Sequence, residues 1–180
     1  MKLRTLLFAV LAAAATAAQP ADLSQSMILV AKPELVDQLY GSTVLVVTPV
    51  GPDQHVGFIV NRPTRARLGE DPLYLGGPMG SQLIFAMVQR PDSPGGKSLA
   101  VMPGLFVAFD AEVVDRIIES ESHHARFVAG LVAWRPGELR AEVEAGAWYV
   151  LSPDPTLVMR KPEGLWEELV RRSQQADNTI

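Results

Sequence analysis

Short apolar runs, many of them β-branched, alternate along this chain with corners that carry glycine or proline. That alternation restricts the fold more than any other feature. STVLVVTPV (residues 42–50) meets Gly51, Pro52, Asp53 and Gln54 and restarts as VGFIV (56–60), an order that reads as a β-hairpin. The first of these runs is too apolar to be half exposed and reads as a buried strand. QSMILVA (25–31), LYL before Gly76, Gly77 and Pro78, the run from Leu83 to Val88, the two halves of LAVMPGLFVAF (99–109), ARFVAGLVAW (125–134) and AWYVL (147–151) supply further strands.

Helical spacing is rarer. Val113, Val114, Ile117 and Ile118 share one face of a segment that Asp110 is placed to cap. Leu165, Trp166, Leu169 and Val170 do the same over roughly 163–175, with Glu167 and Arg171, and Glu168 and Arg172, as i,i+4 pairs. Between Trp134 and Trp148 a short helix is expected, with Pro136 at its first position, Glu138 at its positive start, Leu139 and Val143 facing inward and Gly146 ending it in left-handed geometry. PELVDQLY (33–40) is expected to form one or two helical turns, residues 65–72 an exposed connection, and residues 89–98 a loop. With 180 residues, one domain is expected, over residues 22–175 with a polar tail at 176–180.

The first stretch carries Lys2 and Arg4, an apolar block over residues 6–15, and Ala15 and Ala17 in an Ala-x-Ala pattern. That is the layout of a secretory signal peptide over residues 1–18, too short for the about 20 apolar residues of a membrane-spanning helix. The expected compartment is therefore periplasmic or secreted, with no membrane association after cleavage. Removing Lys2 and Arg4 from 16 basic residues leaves 14 against 20 acidic ones, and the net charge moves from -4 to -6. An acidic chain without a basic stripe disfavours DNA. With no cysteine in the chain, disulfides, thiol catalysis and thiolate metal sites are excluded.

His55, His123 and His124 lack the spacing of a zinc site, since adjacent histidines on an extended strand point to opposite faces. Gly-x-Ser-x-Gly is absent. LGGPMGS (75–81) has three glycines but leads into a strand and lacks the lysine of a phosphate loop, so it reads as a sharp turn. Arg62 beside that turn suggests an alternative, a carboxylate or phosphate clamp. No catalytic residue, cofactor or metal is assigned.

GFIVNRPT (57–64), YLGGPM (74–79), the spacing from Gly130 through Trp134, Pro136, Gly137 and Leu139 to Glu142, and GAWYV (146–150) together resemble the YqgE/AlgH family of small bacterial proteins. The resemblance covers most of residues 25–151. It implies an α+β domain with a coiled, bifurcated, mostly antiparallel β-sheet flanked by a few helices. It also implies little biochemistry beyond a label of transcriptional regulator, and a cytoplasmic location as the alternative compartment. The chain departs from the family pattern at Leu131, Val132, Ala133 and Arg135, and residues 63–73 look shorter than usual and without a helix.

The expected function is a non-catalytic binding or regulatory module, with a protein or a small anionic ligand as partner. Its candidate contact residues are Asn61, Arg62, Pro63, Gly76, Gly77, Pro78, Trp134 and Glu138. The alternatives are an enzyme or small-molecule binder that holds an anion at Arg62 and Gly76-Gly77, and a DNA regulator as the family label says.

Overall fold

The computed structural model describes residues 21–178; the expected export segment lies outside them. The described residues form strands β1 (Met27–Ala31), β2 (Val44–Gly51), β3 (Gln54–Ile59), β4 (Pro63–Leu68), β5 (Asp71–Leu75), β6 (Met79–Gln89), β7 (Ser98–Met102), β8 (Leu105–Ala108), β9 (Ala125–Trp134) and β10 (Trp148–Leu151). Helices α1 (Ala111–Ser120), α2 (Glu138–Glu144) and α3 (Leu165–Asp177) pack on them. The sheet runs β10-β1-β2-β3-β9-β6-β8-β7, with β5 joined to β9 and β4 joined to β5. Its pairings are antiparallel except that of β5 with β9. This is the expected α+β domain, a curled half-barrel with three helices.

The apolar runs do not alternate because both faces of the sheet are covered. Ile28, Val30, Val44, Val46, Phe85, Met87 and Val128 point to one side, where Leu165, Leu169 and Val170 of α3 close the core. The opposite side is divided. Leu29, Ala31, Leu45 and Val47 lie with Leu139 of α2, whereas Ala86, Val88 and Phe127 lie under Val113, Val114 and Ile117 of α1. Each fully buried Val, Leu or Ile in these sets contributes roughly 1.5–3 kcal/mol.

β9 serves both halves and changes face along its length. Val128 and Leu131 turn to the α3 side, Phe127 to α1, and Val132 and Trp134 to α2, so the alternation slips by one residue between 128 and 131. Gly130, with φ 75°, absorbs the slip; a left-handed residue at a bulge is glycine's usual place in a strand.

Several local expectations are corrected. Residues 33–40 form turns and no helix, because the Asp37 carboxylate accepts the N–H groups of Leu39 and Tyr40 and competes with helical bonding. Residues 65–72 are mostly exposed, with Leu68 and Asp71 half-buried, but they belong to the β4–β5 hairpin; no helix intervenes. Pro136 precedes α2 without opening it: Gly137 (φ 84°) turns the chain, and the Glu138 carboxylate takes the Arg135 N–H at 2.7 Å. Gly146 does end α2 with φ 79°, its N–H bonded to the Val143 carbonyl. Asp110 precedes α1 but its side chain makes no capping bond. Glu168 ion-pairs with Arg160 in place of Arg172. His123 and His124 sit in a 3-10 turn, not an extended strand, with ring centroids 4.1 Å apart.

Candidate functional site

The sheet forks at β9. One edge of β9 pairs with β6; the other pairs with β5 at residues 127–129 and then with β3 at residues 132–134. Gly76 stitches the fork: its N–H donates to the Ala129 carbonyl at 2.8 Å and its carbonyl accepts the Ile59 N–H at 2.9 Å. The backbones approach so closely that a Cβ on Gly76 would stand 2.3 Å from the Gly130 oxygen, and one on Gly77 would stand 2.2 Å from the Leu131 carbonyl carbon. Glycine is required here by backbone contact.

The polar members of the motif also work inward. Asn61 Oδ1 accepts the Val44 N–H at 2.8 Å, and Nδ2 donates to the Ser42 carbonyl at 3.0 Å. The side chain thereby stands in for a missing strand residue beside β2. Arg62 donates its two terminal nitrogens to the carbonyls of Gln38 and Gly41, both at 2.9 Å, and its own carbonyl accepts the Leu75 N–H. It staples the turn at residues 37–41 to the fork. Arg126 was not singled out by its sequence context, an apolar strand. It lies buried above the Tyr74 ring at 4.3 Å and donates to the carbonyls of Val60 and Arg160. Burial holds its pKa below that of an ordinary guanidinium.

The turn that Arg62 holds carries a titratable latch. The N–H bonds of Tyr40 and then Leu39 keep the Asp37 carboxyl below the ordinary 3.8. Because the folded pKa is depressed, the latch is present above the ordinary value and is lost as pH falls through the folded one. Hydrogen exchange should therefore show protection of the Leu39 and Tyr40 amides fading in acid, while Asp37→Asn, which keeps the acceptor oxygen, retains protection at every pH. The same acid loss in Asp37→Asn would show that the carboxylate is not the cause.

The structure thus brings Asn61, Arg62, Pro63, Gly76 and Gly77 together at the fork. Trp134 and Glu138 stand at the α2 corner. Trp134 is buried, and its indole N–H donates to Glu142 Oε2 at 3.0 Å; Trp148 donates to the same oxygen at 2.8 Å. Pro63 and Pro78 are exposed.

The open surface begins after Pro78. Met79 pairs with Leu131 and Ile84 with Ala129, so residues 80–83 of β6 stand opposite Gly130 alone. The bulge turns out Met79 and Leu83, 52% and 54% exposed, although Leu83 had the sequence context of a core strand. Beside it a cavity of about 410 Å³ is lined by the apolar Leu68, Leu83, Ile84, Phe109, Val114 and Ile118 and by the polar Gln82 and Asp115. Phe109 is 49% exposed. Apolar side chains of this size on an open groove mark contact surfaces more often than isolated exposed residues do.

Among the described residues, no group of three or more His, Asp or Glu side chains is placed to hold a metal ion. His55 is buried with Nε2 on the Leu23 carbonyl, and no described serine or threonine hydroxyl is hydrogen-bonded to a histidine. No described helix is long and apolar enough to cross a membrane.

The profile of AlgH-like proteins matches residues 28–177. A UPF0301 protein from Chlorobium luteolum is 30% identical over 162 residues, which cover 83% of this chain and 85% of the relative. One from Thermobifida fusca is 32% identical over 167 residues, covering 81% and 84%. The solution structure of the AlgH protein from Pseudomonas aeruginosa has a TM-score of 0.73 at 19% identity, over 85% of this chain and 89% of that one. The crystal structure of a protein from Corynebacterium diphtheriae has a TM-score of 0.70 at 20% identity, over 86% and 90%.

Proposed function

The chain belongs to the AlgH-like family, and from that premise we propose that it is a non-catalytic binding module that engages a partner protein through the groove between the β6 bulge, the end of β4 and α1. One observation carries this reading. The polar motif residues at the fork are engaged in internal hydrogen bonds, while Leu83 and Phe109 are turned out at a largely apolar groove and Met79 is exposed at the start of the same strand. The motif builds the corner, and the corner presents the bulge. Pro78 is the exposed motif residue that leads into β6.

The anion-clamp alternative has less support, because both terminal nitrogens of Arg62 are on carbonyls and the Gly76 N–H is on Ala129. With two of its five N–H groups and the facing amide already taken, Arg62 is held in place by the fold and has fewer donors left for an anion.

The test is photo-crosslinking in the native cell, with a photoreactive amino acid in place of Leu83 or Phe109, and in place of Ala133 or Glu144 as exposed controls. A discrete protein adduct is expected from the first pair and not from the second. Adducts of equal yield from all four positions, or from none, would refute the reading.

A further inference from the structure

We propose that the partner segment is an acidic, extended peptide that lies along the open edge of β4 and places an apolar side chain in the adjoining groove. The inference rests on the binding-module reading above and names its partner. Among the described residues β4 has β5 on one side and no strand on the other, and Pro63, Thr64, Arg65, Ala66 and Arg67 are all exposed. An unpaired edge is a template for an extended chain.

Charge selects which chain. The protein carries a net charge of -4, yet this edge presents Arg65 and Arg67, and neither takes part in an ion pair among the described residues. Guanidinium groups on an exposed edge repel basic or self-like strands and accept carboxylates in two-pronged geometry. The Thr64 hydroxyl donates to the Leu73 carbonyl and accepts the Ala66 N–H. That local closure weakens continuous ladder pairing and leaves recognition to the two arginines. At the C-terminal end of the same strand, Leu68 lines the groove with Leu83 and Phe109. A peptide with carboxylates spaced to meet Arg65 and Arg67, followed by a leucine or phenylalanine, fits both features. A nucleic acid fits less well. Two arginines suit two carboxylates but make no stripe along a phosphate backbone, and an apolar groove has no use for one.

The probe is a fluorescent peptide alternating glutamate with leucine, titrated against the purified protein, with a lysine–leucine peptide and a DNA duplex as comparisons. The acidic peptide is expected to bind, to weaken at least fivefold in Arg65→Glu/Arg67→Glu, and to weaken as salt rises from about 50 to about 300 mM. NMR shift changes are expected to fall on β4, the β6 bulge and α1. Unchanged melting of the variant shows that the loss is not unfolding. The inference is overturned if the acidic peptide fails to bind, if the lysine peptide binds as well, if charge reversal leaves affinity intact, or if the duplex is the tighter ligand at Arg65 and Arg67. In cells, retention of the crosslinked adduct at position 83 by Arg65→Glu/Arg67→Glu would sink the acidic-peptide inference and leave the binding module standing. Absence of any adduct would sink the module itself.

Discussion

Gly77→Ala is expected to yield little or no folded protein. The added Cβ would lie 2.2 Å from the Leu131 carbonyl carbon, 2.3 Å from its oxygen and 2.7 Å from the Val132 nitrogen. These are backbone atoms of β9, clamped by β3 on one edge and by β6 on the other at the fork. A flexible side chain would swing aside, whereas a packed backbone moves only by breaking its pairings. The cost should exceed about 4 kcal/mol, a large share of the total stability of a domain this size. Gly104→Ala is the matched control: its φ is 77° and nothing lies within 4 Å of the new Cβ. Only the left-handed backbone penalty of about 1–2 kcal/mol remains there. Soluble yield and the thermal midpoint decide the matter. A Gly77→Ala protein that melts with the parent would remove the close-approach account of the motif glycines.

The second large effect is expected at Glu142. Its Oε2 accepts the indole N–H groups of Trp134 and Trp148, both buried, and so ties the end of β9, α2 and the start of β10 together through one atom. Glu142→Ala strands two buried donors at about 1–3 kcal/mol each. At about 2–4 °C per kcal/mol for a chain of this length, the thermal midpoint should fall by about 10 °C. Glu142→Gln keeps a carbonyl acceptor and should fall by less than half as much. Equal losses in the two variants would show that packing of the side chain, and not the shared acceptor, holds the corner.

How glycine and proline corners fit among the apolar runs is legible in part from the chain alone. The strands, α1 and α3 were legible because burial on both sheet faces makes their runs continuous and because Val113, Ile117, Leu165 and Leu169 keep helical spacing. Gly146 as a left-handed stop was legible for the same local reason. Nonlocal facts were not. Nothing in LIFAMV says that Leu83 stands outside, because its exposure comes from residues 80–83 facing Gly130 across the ladder. Arg126 stands in an apolar strand, and its acceptors, Val60 and Arg160, come from distant parts of the chain. The failed helix at residues 33–40 is a contest between local patterns, in which the Asp37 side chain prevailed over a weak apolar spacing. At the candidate site, the grouping of Asn61, Arg62, Gly76 and Gly77 was legible as a motif. Their hydrogen bonds to the backbones of Gln38, Gly41, Ser42, Val44, Ile59 and Ala129 were not, since these depend on which distant segments pass beside the motif.

The most direct test of the division between a building motif and a binding bulge is whether the complex proposed above forms in cells with the parent chain and is lost in Leu83→Asp/Phe109→Asp. Both residues are half exposed, so the thermal midpoint of the purified variant should stay close to the parent's while the complex collapses to the mass of the chain alone. A variant that melts with the parent and still migrates in the full native complex would contradict the account.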